Sequence, residues 1–271
     1  MAISTIDGVI AGFKQPQFIW KEAGAATLSG RPYTPFYAAG IPSAAAAPTP
    51  GLNGTALTSY NGQIPFINPS SGQNTYLARF ICVPTAQAGS TLLLDRLWHN
   101  SGISVTSTTA QSITSPTFPA RDANGSTNGE GVYLGVEVSS ATGAGTPTIT
   151  VSYTNSDATP VSGRTATNIF ATSASSPVGT FYPLGLQAGD KGVRSVQSIT
   201  LSATWTSGTI HLVAYRPLVT LQNSGVGVCS PVDALTSGLV RMYDNTVPFI
   251  LFVPNTVTAT GFTGTLTVTQ G

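Results

Sequence analysis

The chain has 271 residues, 41% of them hydrophobic and only 8% charged, with a net charge of +1. An ordinary globular domain carries about a quarter charged residues, so here Ser, Thr, Gly, Ala, Asn and Gln take the place of charge. Disorder driven by charge is excluded, because that signature needs low hydrophobicity together with high net charge.

The same balance weighs against two partner classes. Lys and Arg total 11 and are scattered, with no basic run to form a phosphate footprint, so no nucleic-acid partner is expected. The longest apolar stretch, Val247 to Pro254, is far shorter than the roughly 20 residues of a spanning helix, so no membrane partner is expected either. A near-neutral surface has little repulsion to keep copies apart, which suits a protein that works among copies of itself. The opening "MAISTIDGVIAGFK" lacks a basic n-region and a continuous apolar h-region, so folding in a cytosol is expected. In that compartment Cys82 and Cys229 read as small apolar residues rather than a disulfide.

Residues 1–74 differ in texture from the remainder of the chain. They hold Pro16, Pro32, Pro35, Pro42, Pro48, Pro50, Pro65 and Pro69, interleaved with Phe13, Phe18, Trp20, Tyr33, Phe36, Tyr37, Tyr60 and Phe66. Proline denies this region long helices and central strands. Two readings fit: an extended arm anchored on another surface by its rings, or a collar of loops wrapped over the chain's own core. In the arm reading Phe13, Phe18, Trp20, Tyr33, Phe36 and Tyr37 are the docking residues, and a core without residues 1–50 stays folded. Ala44 to Ala47 have room for one helical turn between flanking prolines.

From Thr75 to Gly271 the reading is a β domain. "TYLARFICVP" (75–84) is a strand, and "STLLLDRLWHNSG" (90–102) is a strand or a short helix. In "RDANGSTNGE" (121–130) oxygen-bearing side chains alternate, but the glycine and glutamate of a calcium loop are missing from its sixth and twelfth places, so a solvated hairpin loop is expected. In "GVYLGVEVSSA" (131–141) Val132, Leu134, Val136 and Val138 share one face. "PTITVSYTN" (147–155) turns Ile149, Val151 and Tyr153 inward. "SVQSITLSATWTSGTIHLVAYRP" (195–217) reads as a hairpin turning at Ser207-Gly208, with His211 on the side away from Ile210 and Leu212, at a surface or interface. "VPFILFVPN" (247–255) is a fully buried strand and "GTLTVTQ" (264–270) the last. Short period-two runs between Gly, Pro, Asn and Ser turns describe an all-β antiparallel sandwich, jelly-roll-like, carrying an extended N-terminal arm. Threonine serves it twice: β-branching favours the strand, and the hydroxyl keeps the outer face soluble without charge.

Catalytic chemistry finds little footing. The ten acids form no local pair of the glycosidase kind. There is no Gly-x-Ser-x-Gly and no phosphate-binding Gly-x-x-x-x-Gly-Lys. The histidines are His99 and His211, and with the two cysteines they show no zinc-ligand spacing. No enzyme activity, metal or cofactor is expected. Arg164 stands alone in a Ser/Thr/Ala loop. Its five donors suit it to pin that loop or to bond a neighbouring subunit, and a chain with eight Arg to three Lys leans toward arginine.

The near-neutral Thr/Ser/Gly/Ala-rich β texture, the proline-aromatic N-terminal region, and the segments "YTNSDATPVSGRTAT" (153–167), "LWHNSG" (97–102) and "GFTGTLTVTQG" (261–271) together resemble structural proteins of tailed-bacteriophage virions. The resemblance implies a non-enzymatic subunit, made in the host cytoplasm and residing in the virion. It would decorate or cement the capsid by forming a homo-oligomer, a trimer first, and by docking on the major capsid protein. The alternatives are a tail, collar or fibre component, or a carbohydrate-binding adhesin module with Trp98, Trp205 and the tyrosines as platforms.

Overall fold

The computed structural model describes residues 3–157 and 164–271. In chain order they form helix α1 (Ile6–Ala11), strand β1 (Gln17–Lys21), a 3-10 turn (Pro35–Tyr37), β2 (Gly40–Ile41), β3 (Thr55–Ala56), β4 (Thr75–Pro84), β5 (Gly89–His99), β6 (Gln111–Ser112) and β7 (Tyr133–Ser140). Next come β8 (Ile149–Asn155), β9 (Thr165–Asn168), β10 (Phe181–Gly185), β11 (Val193–Leu201), β12 (Thr209–Asn223), β13 (Val232–Asp233), helix α2 (Ala234–Ser237), β14 (Arg241–Met242), β15 (Pro248–Pro254) and β16 (Phe262–Gln270). The ambiguous stretch at 90–102 is strand, and Ala44 to Ala47 form no helical turn.

The strands make two curled antiparallel sheets packed as a sandwich. One is six-stranded, in the order β13-β4-β16-β1-β2, with β14 also on β4. The other is ten-stranded, in the order β15-β5-β12-β7-β10-β9-β8-β11-β6, with β3 also on β5. Its β7 to β11 half curls around a core of its own that includes Val136, Val151, Tyr153, Ile199, Leu212 and Trp205. Its β15-β5-β12 half is covered on both faces. Alternation along the strands divides the side chains between those faces. Leu93, Leu221, Ile250 and Phe252 meet Phe80, Phe262 and Leu266 of the six-stranded sheet. Leu94, Val213, Phe249 and Leu251 meet Phe36 from the N-terminal region.

A strand buried on both faces leaves no wet side for Asp95 and Arg96, and both are fully buried. Each receives a partner. Arg121 Nε donates to Asp95 Oδ2 at 2.9 Å. Arg96 donates to both oxygens of Glu137 on β7, at 3.1 and 2.7 Å, and its guanidinium lies 4.9 Å from the Phe36 ring centre. Tyr37 donates its hydroxyl to the same Glu137 at 2.8 Å. Burial first, then the Glu137 charge, hold that phenol well above its ordinary pKa.

From residue 17 on, the N-terminal region packs as the collar. β1 pairs with β16, Gln17 opposite Leu266 through Lys21 opposite Phe262, and Ile19, Tyr33, Phe36, Leu57 and Ile64 are buried. A chain lacking residues 1–50 lacks β1, β2 and the core side chains Ile19, Tyr33 and Phe36, so from residue 17 on the reading of a free arm is corrected. The hairpin over 195–217 is corrected as well. β11 pairs with β8 and β6, whereas β12 lies between β5 and β7. Ala203 is exposed and Trp205 is buried in the connection. Two adjacent alternating runs fix each strand's faces but not which strand it pairs with.

His211 does turn away from Ile210 and Leu212. The side it turns to is filled by Ser139, Asn100 and the Arg96–Glu137 pair, so it is buried rather than at a surface. Its Nδ1 lies 2.9 Å from the Asn100 carbonyl, which only accepts. Nδ1 therefore carries the proton, and Nε2 accepts from the Ser139 hydroxyl at 2.7 Å. Burial lowers its pKa. Burial, then Arg96 and His211, push His99 down to about 2.

If the collar belongs to the folded core, Phe36→Ala lowers the unfolding free energy by about 3–5 kcal/mol, the usual cost of emptying a buried aromatic site. Urea denaturation with an unchanged m-value measures it, and a loss under about 1 kcal/mol would contradict this packing.

Candidate docking surface

Exposed apolar side chains gather on the outer face of the six-stranded sheet. In β1 the period of two sends Ile19 and Lys21 inward and Phe18 and Trp20 outward. Phe18 is 67% exposed and Trp20 66%. Across the strands, Phe18 stands opposite Thr265 and Trp20 opposite Thr263 of β16, and exposed Ile41 of β2 lies on the other side of Trp20. Isolated exposed apolar residues are ordinary, but a contiguous group marks an interaction surface.

The surface continues into α1. Thr5 caps this short helix by accepting from the Gly8 N–H at 3.1 Å. The Thr269 hydroxyl donates to the Val9 carbonyl at 2.7 Å. Gly12 lets the chain press against β16, since a Cβ there would sit 2.4 Å from the Gln270 carbonyl oxygen. The helix buries none of its residues and leaves Ile6 and Ile10 exposed, one turn apart. Facing it is α2, whose Leu235 is 78% exposed. Asp233 caps α2 by accepting from the Leu235 and Thr236 N–H groups, each at 3.0 Å.

Between the two helices runs an apolar groove of about 180 Å³, lined by Ile6, Val9, Ile10, Phe13, Ala78 and Leu235, with Arg79 and Asp233 at its side. An adjoining hollow of about 220 Å³ shares Ile6, Val9 and Leu235. Part of the groove floor is a β-bulge. Thr267 stands opposite Arg79 and Val268 opposite Leu77, so Ala78 between them has no partner. A small side chain at that kink keeps the floor low.

The residues singled out in the sequence divide. Phe13, Phe18 and Trp20 are exposed on this face. Tyr33 and Phe36 are core residues, each 3% exposed, and partly buried Tyr37 bonds Glu137. Arg164 lies elsewhere, its Nη1 3.1 Å from Asp190 Oδ1. Asp190 also accepts from the Tyr153 hydroxyl and from Asn155 Nδ2. Burial alone would raise the Asp190 pKa, but these bonds and the Arg164 charge hold it below the usual range. The preceding stretch, 158–163, lies outside the described residues. Sequence reasoning missed Ile6, Ile10, Ile41 and Leu235. Ile6, Val9, Ile10 and Phe13 do carry a helical spacing that could have been found.

One other expectation changes once the fold is known. Trp98 and Trp205 are fully buried, so neither is an aromatic platform for a sugar. Each indole instead donates to a carbonyl, that of Asn53 and of Ser173. In the 121–130 loop the Asp122 carboxylate accepts from the backbone N–H groups of Asn124, Ser126, Gly129 and Glu130 and from the Ser126 hydroxyl. The loop's own donors fill the carboxylate that a calcium ion would use. Among the described residues no three His, Cys, Asp or Glu side chains gather as metal ligands.

Comparison with known proteins gives no family. No family model matches the chain, and no curated protein matches it. Among solved structures, the human polyomavirus 7 VP1 pentamer is 12% identical over 99% of this chain and 97% of that one, with a TM-score of 0.17. A structure of infectious bursal disease virus Gt strain is 14% identical over 94% of this chain and 66% of that one, with a TM-score of 0.12. Likeness at such scores carries no argument.

Beneath Trp20's strand, Lys21 is buried and donates from Nζ to the Ala38 and Ser43 carbonyls at 3.1 and 3.2 Å. Burial lowers its pKa to about 8. A lysine with a depressed folded-state pKa makes the native state shed its proton before the unfolded state does, so its contribution to stability rises with pH from about 8 toward the unfolded value. The expected outcome is that Lys21→Met stabilises the fold more, relative to wild type, at about pH 7 than at about pH 10, read as the difference in Tm. A difference independent of pH would show that Lys21 is not perturbed.

Proposed function

We propose that the chain is a non-enzymatic structural subunit of a bacteriophage virion, one that decorates or cements the capsid by self-association and by docking on the major capsid protein. One observation carries the reading: an almost uncharged β-sandwich holds Phe18, Trp20, Ile41, Ile6, Ile10 and Leu235 exposed on one sheet face. A freely diffusing protein with such a face risks association, whereas a subunit meant to be covered by neighbours uses it. The rest of the chain agrees with that use. Its polar surface is threonine-rich rather than charged, and its buried ion pairs, Arg96–Glu137 and Arg121–Asp95, tie segments together at 0–2% exposure, out of reach of a substrate.

The test is the protein content of gradient-purified virus particles from the source of the sequence. Mass spectrometry should find this chain at a copy number comparable to the capsid subunits, and immunogold label should lie on the particle surface. Particles that lack the chain, while infected lysate contains it, would remove the virion role.

A further inference from the structure

We propose that the Phe18–Trp20 pair of one copy seats in the α1–α2 groove of a second copy, so that two chains meet face to face through their six-stranded sheets. This rests on the self-association proposed for the chain and names its contact.

Knob and groove lie on the same face. Trp20 stands over Thr263, and the groove floor at Ala78 lies beside Thr267 and Val268 of the same strand. At about 3.4 Å per residue, Thr263 and Thr267 are roughly 14 Å apart. A two-fold axis in the interface, crossing the knob-to-groove line at its midpoint, sets each aromatic pair over the other copy's groove. Such an isologous contact satisfies both knobs and both grooves at once, whereas a closed ring needs donor and acceptor patches that face different ways. The contact is therefore two-fold, in place of the trimer expected from the sequence.

Size, charge and local stability fit this occupant. The groove measures about 180 Å³ and its adjoining hollow about 220 Å³. An apolar cavity of about 150 Å³ takes up benzene, so an aromatic side chain has room. The charges among the groove's lining residues are Arg79 and Asp233, direct cross-strand neighbours of opposite sign. The groove thus offers no net charge to an ionic partner and no obstacle to a neutral ring. A helix as short as α1 does not hold itself in water and buries none of its residues in its own chain. A second copy laid over it supplies that burial.

The test uses the full chain and two sets of variants at exposed positions: Phe18→Ser with Trp20→Ser for the knob, and Leu235→Asp for the groove. Circular dichroism and Tm check that each variant folds. Light scattering after gel filtration should show a dimer, or an even-numbered assembly, for wild type. Each variant set should weaken association about tenfold or more, as loss of an interface anchor does. Mixing the two variants should restore part of the association, because one knob and one groove in each mixed pair are intact. Trp20 is the exposed one of the three tryptophans, so wild-type emission should shift to the blue with concentration and that of Leu235→Asp should not. If wild type assembles and the variants assemble equally well, this contact is overturned while self-association stands. A wild-type monomer at every concentration overturns both. Weakened variants without recovery on mixing overturn the knob-and-groove pairing.

Discussion

Strand β5 sets the terms for the rest of the molecule. It lies in a part of the larger sheet that is covered on both faces, yet it carries adjacent residues of opposite charge, Asp95 and Arg96, neither of which reaches water. An unpaired buried charge costs several kcal/mol, so each must draw a partner from elsewhere in the chain. Arg121 comes from the long connection before β7 and Glu137 from β7 itself. Tyr37 then ties the collar to Glu137. These bonds act more as register marks than as net stabilisers, because ion pairs of this kind barely outweigh their own desolvation. They decide where the connection, strand β7 across β12, and the collar must lie.

The N-terminal region shows the limit of reading aromatics without a period. Phe13, Phe18, Trp20, Tyr33, Phe36 and Tyr37 look alike in the sequence, and folding sends them to opposite fates. Phe18 and Trp20 are outward because β1 is a strand with Ile19 and Lys21 on its inner side. Tyr33 and Phe36 are inward because a 3-10 turn and a bridge to Phe252 bring them onto β15. The β domain was more legible. Alternation identified β7, β8 and β16, and an unbroken apolar run identified β15. Alternation tells which residues share a face, not whether that face is wet, and His211 falls in that gap. Pairing partners are set by distant segments, so the run from Ser195 to Pro217 looked like a hairpin although its halves join different neighbours. Of the exposed apolar face, Phe13, Phe18 and Trp20 could be named beforehand. Ile41 and Leu235 could not, because each stands alone in sequence and joins the others only when the six-stranded sheet forms.

Charge poverty has a structural counterpart here. Threonine alternates with buried residues along β8 and lines β16 beside Phe18 and Trp20. The hydroxyls keep this surface wettable without making it repel a like surface. A lysine or glutamate at the same positions would protect the sheet from association. Their scarcity leaves the outer face without charges that would repel a like surface, while the specificity of the fold beneath it resides in the buried polar ties and in the division of side chains between the two faces of β5, β12 and β15.

The pairing of β1 with β16 joins residues 17–21 to residues 262–266. On the ribosome this means that the first strand waits for the last. At about 5–20 residues per second, roughly 10–50 s separate the synthesis of the two. Through that interval Phe18, Ile19 and Trp20 are tethered to a growing chain without the strand that will hold them. Long-range pairing of this kind also slows folding after release. Neighbouring nascent chains on one message would thus present the same aromatic strand to one another before either has a completed sheet, and intramolecular closure must outrun that encounter.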